Sequence, residues 1–144
     1  MTANFDDTPS ITTTRADASP TAARWGGRIL TSIAVLFLTV DALAKIARAK
    51  VATEGTVQLG FPADSVVPIG LILLVCVICY VIPRIAPLGA ILLTGYLGGA
   101  IAANVRLEKP LFTYELFPIY VAAFIWGGLY LRDARVRALV RPAR

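Results

Sequence analysis

The chain has 144 residues, 57% hydrophobic and 16% charged, with 14 basic and 9 acidic side chains giving a formal net charge of +5. Soluble domains average roughly 45–50% apolar and about 25% charged residues, so a small water-exposed fold is excluded and the bilayer is the expected solvent. Two cysteines and no histidine remove Cys/His zinc sites, histidine-ligated haem and Ser-His-Asp or Cys-His catalysis, and supply no disulfide framework.

Residues 1–24 contain six threonines and three aspartates without an apolar run, which reads as a disordered polar tail and not as a signal peptide. A first transmembrane helix is predicted over about 25–46, where 16 residues separate Arg28 from Lys45 and Asp41 interrupts them. The second, about 66–82, lies in the 19 uncharged residues between Asp64 and Arg84. The third, about 88–103, lies in the 21 uncharged residues between Arg84 and Arg106. A helix needs about 20 residues at 1.5 Å each to cross a hydrocarbon core of roughly 30 Å, so both of these fit. The fourth, about 116–131, has only 16 residues between Glu115 and Arg132, and crosses if Arg132 snorkels or the bilayer thins. Trp25 with Tyr114, or Trp126 with Tyr130, supply interfacial aromatics.

Pro83 and Pro87 bracket a five-residue turn around Arg84, which forces the second and third helices into an antiparallel hairpin. Pro68 and Pro118 fall in first helical turns, where a missing N–H costs little. The expected fold is therefore all-α, an integral antiparallel four-helix bundle, because lipid requires backbone hydrogen bonds to close within the chain. Nine basic residues (15, 24, 28, 84, 132, 135, 137, 141 and 144) fall on one side of that bundle and five (45, 48, 50, 106 and 109) on the other. The nine belong inside, which predicts cytoplasmic termini in the cell inner membrane and puts the 47–65 and 104–115 loops outside. The basic tail from Arg132 to Arg144 reads as an anchor on anionic headgroups and not as a nucleic-acid surface.

This topology collects Asp41, Lys45, Asn104, Arg106, Tyr114 and Glu115 at one rim, the candidate ligand-binding set. Asp41 and Lys45, four residues apart, share a helical face, and Arg48 is expected to continue that stripe. An ionised aspartate in an apolar span requires a partner or a polar cavity, so the stripe is expected to face the bundle. Two roles stay open: a pair that neutralises itself and locks the first helix, or a pocket for a small ligand, a quinone headgroup or a proton.

Cys76 and Cys79 form a C-x-x-C pattern near the expected midplane, where thiolates are disfavoured, and are read as small apolar packing residues. Gly95, Gly99 and Ala103 repeat every four residues and suit a close helix contact, either with the fourth helix through Gly127 and Gly128 or with a second copy of the chain. Packing within the chain is the favoured reading of the two. No metal ligand set and no cofactor-binding motif is found, and the glycine pattern does not follow a strand as a nucleotide loop would.

The order of several segments resembles the DoxX-like family of small four-helix bacterial membrane proteins. These are Trp25-Gly26-Gly27-Arg28 with Asp41 and Lys45, Leu59-Gly60-Phe61-Pro62, Ile82-Pro83-Arg84, the run from Leu88 to Ala100, Asn104-Val105-Arg106, Pro110-Leu111-Phe112, Trp126-Gly127-Gly128-Leu129 and Leu131-Arg132-Asp133. The resemblance implies a link, in some relatives, to quinone-linked sulfur oxidation or to membrane oxidoreductase assemblies under oxidative stress. Similar proteins often carry a glutamate where this chain has Leu73 and a histidine where it has Asn104, so a proton-transferring site on those groups does not carry over, whereas Asp41, Lys45 and Arg106 do. Two functions follow as expectations. The first is a non-catalytic subunit or scaffold of a membrane assembly, with an oxidoreductase or another integral protein as partner. The alternative is a quinone-linked redox protein with a polar pocket at the outer end. A carrier is disfavoured, since no inverted repeat is visible.

Overall fold

Pro20–Ile46 (α1), Lys50–Gln58 (α2), Val66–Val81 (α3), Ala86–Arg106 (α4), Leu116–Arg132 (α5) and Ala134–Val140 (α6) succeed one another in the computed structural model, which describes residues 20–107 and 116–140. A single 3-10 turn, Ala63–Ser65, leads into α3. The long helices α1, α3, α4 and α5 form a ring in which α1 packs on α3 and α5, α3 on α4, and α4 on α5. Each contributes a buried stripe at near-helical spacing: Ala34, Leu38 and Ala42 from α1, Leu73 and Val77 from α3, Ala90, Leu93 and Leu97 from α4, and Val121, Ile125 and Leu129 from α5.

Outward faces are equally apolar. Leu36 is 68% exposed, Val75 56% and Ile91 58%, which in water would form a large sticky surface and in lipid is the matched one. Residues 24–46, 63–81 and 86–106 are each long and apolar enough to cross a membrane. The protein is thus an all-α, multi-pass membrane protein. The fourth apolar helix, α5, has 17 residues and falls short of the length of the other three.

Because lipid tails are as apolar as leucine, close backbone approach and buried hydrogen bonds, not water expulsion, hold such helices together. A Cβ on Gly128 would lie 3.1 Å from the Thr31 backbone nitrogen, and one on Gly70 3.0 Å from the Ala42 carbonyl, so α5 and α3 both press directly on the α1 backbone. At the α3–α4 hairpin, a Cβ on Gly89 would overlap the backbone of Tyr80. Tyr80, fully buried, ties the ring together: its hydroxyl donates to the Ile125 carbonyl of α5 at 2.9 Å and lies 3.4 Å from the Thr31 hydroxyl of α1.

The structure corrects several expectations. The segment 47–65, expected as an outer loop, is largely helical, and α4 runs from Ala86 to Arg106. Pro87 therefore opens α4 instead of bracketing the turn, and Asn104 and Arg106 are helical residues. α1 stops at Ile46 in a left-handed reversal at Arg48 (φ 52°), where Arg48 N–H bonds the Lys45 carbonyl and Ala49 N–H the Ala44 carbonyl. Arg48 thereby leaves the Asp41–Lys45 face and reaches toward the exposed Asp64, 3.9 Å away.

Gly95, Gly98 and Gly99 make no close helix contact among the described residues; added Cβ atoms there meet nothing within 4 Å. The close approaches use Gly27, Gly70, Gly89 and Gly128. Trp126 sits mid-way along α5 with its indole N–H bonded to Thr94 Oγ1 of α4 at 2.9 Å, so it serves as a cross-helix tie and not as a terminal anchor. Part of the basic C-terminal segment forms α6, which docks on α5 with Val136 buried. Most of the expected N-terminal tail, with Tyr114 and Glu115, lies outside the described residues.

Candidate functional site

At one end of the ring the last turn of α1, the short helix α2, the start of α3 and the end of α4 converge. Lys45 Nζ is paired with Asp41 Oδ1 along one turn of α1, and the lysine side chain is only 14% exposed against 32% for the aspartate. Gly70 lets the two helices meet here, since a Cβ on it would press on Lys45 Cβ at 2.8 Å.

Two cavities flank the pair. The larger, about 550 Å³, is lined by Asp41, Lys45, Asn104, Thr56, Phe37 and Phe117 among others. Phe37 and Phe117 meet edge-on with ring centroids 5.0 Å apart, joining α1 to α5 at its wall. The smaller, about 250 Å³, is mostly apolar, bounded by Phe61, Tyr96, Gly95 and Gly99, with Lys45 as its only ionic side chain among the described residues. Lys45, Thr56 and Leu59 belong to both linings, so the ammonium group stands at the wall between them.

Of the residues singled out from the sequence, Asp41, Lys45 and Asn104 border one cavity. Asn104 is buried and spends one amide N–H on the Ala100 carbonyl at 2.9 Å. Arg106 lines neither cavity. Its Nη2 donates to the Leu59 carbonyl at 3.3 Å, satisfying a carbonyl that the end of α2 leaves free. Gly60 follows with φ 83°, closing α2 through Gly60 N–H to Val57 O and Phe61 N–H to Thr56 O.

Thr56, Leu59 and Tyr96 line the cavities and were not among the candidate site residues read from the sequence. A signal for α2 was present: nine residues without proline, then Gly60 and Pro62 as stop residues. Cys76 and Cys79 are free thiols in α3. No group of three potential His, Cys, Asp or Glu metal ligands forms among the described residues.

Helices that expose leucine and isoleucine outward while enclosing one charged pair define an integral, multi-pass α-helical membrane protein. The model of the DoxX-like family matches residues 29–128, and the chain belongs to that family. That match takes in the whole of α2, α3 and α4, with Asp41, Lys45, Asn104 and Arg106. Neither the curated proteins nor the solved structures give a match.

Proposed function

We propose that this chain is a non-catalytic integral subunit, or scaffold, of a membrane assembly. The supporting observation is the open face of α4 at Gly98: an added Cβ there meets no described residue within 4 Å, Ile91 and Leu92 are exposed alongside, and Gly95 and Gly99, also open, border the smaller cavity. Small residues at this spacing receive a second helix at short range. The partner on this reading is another integral protein, an oxidoreductase subunit or a second copy of the chain. The reading includes a four-span antiparallel topology, α5 being the fourth span, with both termini cytoplasmic, the cavities opening outward and the inner membrane as location. Site-directed crosslinking from Gly98→Cys, with co-purification in mild detergent, tests it: a discrete crosslinked partner supports the subunit role, and an uncrosslinked monomer across detergents and native membranes removes it.

A second reading is favoured by the smaller cavity. An apolar chamber with one ammonium at its wall suits a lipid-soluble molecule with a polar head, such as a quinone. Lys45 would orient that head and Asp41 would hold the lysine. The two readings share Gly95 and Gly99 and separate at Gly98 and Lys45. Gly98 is outside the cavity lining and Lys45 is inside it, so Gly98→Leu should disturb assembly alone, whereas Lys45→Met should abolish quinone retention and leave assembly intact.

A further inference from the structure

The opposite end of the ring carries a different kind of cavity. It measures about 410 Å³ and is lined by Arg24, Arg28, Pro83, Ala86, Arg132 and Asp133, within the roughly 300–1,000 Å³ usual for ligand sites. Two arginines come from the second and third turns of α1, one from the last turn of α5, and the floor from the α3–α4 hairpin. We propose that it binds a phosphate-bearing anion, with the three guanidinium groups as its ligands.

Three features converge. Among the described residues none of these arginines has a carboxylate partner within ion-pair distance, although gathering like charges is unfavourable unless an anion offsets them. The lining holds one carboxylate, Asp133, whose Oδ1 accepts the Arg135 backbone N–H at 2.9 Å and caps α6, so three guanidinium groups stand against one carboxylate. Two of the three arginines are held in place. Arg132 Nη2 donates to the Tyr80 carbonyl at 3.1 Å with its guanidinium 4.9 Å from the Tyr80 ring centroid, and the Arg28 guanidinium sits 5.7 Å from the centre of the Trp25 ring. Planar guanidinium groups fixed in this way suit forked hydrogen bonding to phosphate oxygens. Ala86 adds the first turn of the 21-residue α4, whose free N–H groups carry partial positive charge toward the same space.

This cavity lies where the apolar stretches begin and end: residue 24 opens the first, residue 81 closes the second and residue 86 opens the third. That is headgroup depth for a lipid phosphodiester and also within reach of a soluble phosphate. The site's chemistry is shared by both sources, and the experiment distinguishes them.

The full chain is placed in nanodiscs of phosphatidylcholine with graded phosphatidylglycerol, and separately in neutral detergent with inorganic phosphate; thermal unfolding and native mass spectrometry report binding. Arg24→Gln with Arg28→Gln spares the Tyr80 contact of Arg132, and Arg84→Gln with Arg135→Gln removes the same charge at the same end outside the cavity. Phosphatidylglycerol should raise the unfolding temperature and stay bound to the wild type and to the Arg84/Arg135 variant, with affinity falling about tenfold in the Arg24/Arg28 variant. The same pattern with inorganic phosphate would assign a soluble anion. Equal response to phosphatidylcholine and phosphatidylglycerol with no effect of phosphate, or equal losses in both double variants, would overturn the site.

Discussion

The Arg132 guanidinium covers the Tyr80 ring, 4.9 Å from its centroid, and donates to the Tyr80 carbonyl at 3.1 Å. That carbonyl lies in the last turn of α3, where the chain leaves the helix at Ile82-Pro83 and no backbone N–H continues the ladder. A side chain from α5 thus completes α3, while the Tyr80 hydroxyl returns the connection through the Ile125 carbonyl. One tyrosine couples the ends of two helices that are distant in sequence.

Tyr80→Phe should therefore lower stability by about 0.5–1.5 kcal/mol, the scale of interhelical hydrogen bonds in membranes. The ring and its packing survive, so the loss reports the hydroxyl. Reversible unfolding in mixed detergent and SDS measures it, and an unchanged midpoint would show that the bonds to Ile125 and Thr31 contribute nothing.

Asp41 and Lys45 should behave as a unit. Removing one partner strands a half-buried charge in an apolar setting, while replacing both leaves none. The double variant Asp41→Leu with Lys45→Met is expected to be more stable than Lys45→Met alone, with a coupling energy of about 1–2 kcal/mol in a double-mutant cycle. Strict additivity in the same unfolding assay would contradict the pairing.

Gly60 has two constraints at once, a backbone φ of 83° and Arg106 Nη2 only 2.6 Å from where a Cβ would stand. Gly60→Ala should cost about 1–2 kcal/mol from the left-handed backbone alone, and push Arg106 off the Leu59 carbonyl. Proteolysis of the α2 region would rise, and Arg106→Gln should reproduce only part of that rise.

Glycines of α4 should divide sharply by position. Gly89→Leu would drive a side chain into the Tyr80 backbone and prevent the α3–α4 hairpin from closing, so folded yield should collapse. Gly98→Leu meets open space and should leave the unfolding midpoint of the isolated chain within about 0.5 kcal/mol of wild type.

The Thr94–Trp126 tie gives a spectroscopic check. Thr94→Val leaves the indole N–H without its partner at 2.9 Å in a region without water, a loss of about 1 kcal/mol. In a Trp25→Phe background, where Trp126 is the sole tryptophan, its fluorescence should shift when Thr94→Val is added, and an unchanged spectrum would contradict the tie.

Helices α1, α3 and α4 could be read directly from the sequence, because a long interval between charges is a local property and the bilayer imposes its length on any segment that crosses it. The same is true of the Asp41–Lys45 pair, which needs only the helical repeat. Arg48 shows where such local periodicity stops: a left-handed residue ends α1 two positions after Ile46, and neither glycine nor proline marks the place. Tertiary structure alone decided which glycines are used. Gly95 and Gly99 have the spacing of a contact motif, yet a Cβ on either would meet no described residue within 4 Å, while Gly27, Gly70, Gly89 and Gly128 stand in no repeat and carry the helix crossings. Whether a small residue is an opening or a contact depends on what the rest of the chain brings opposite it. The cavities beside Lys45 and between Arg28 and Arg132 have the same origin: their walls come from helices remote in sequence, joined only once the ring closes.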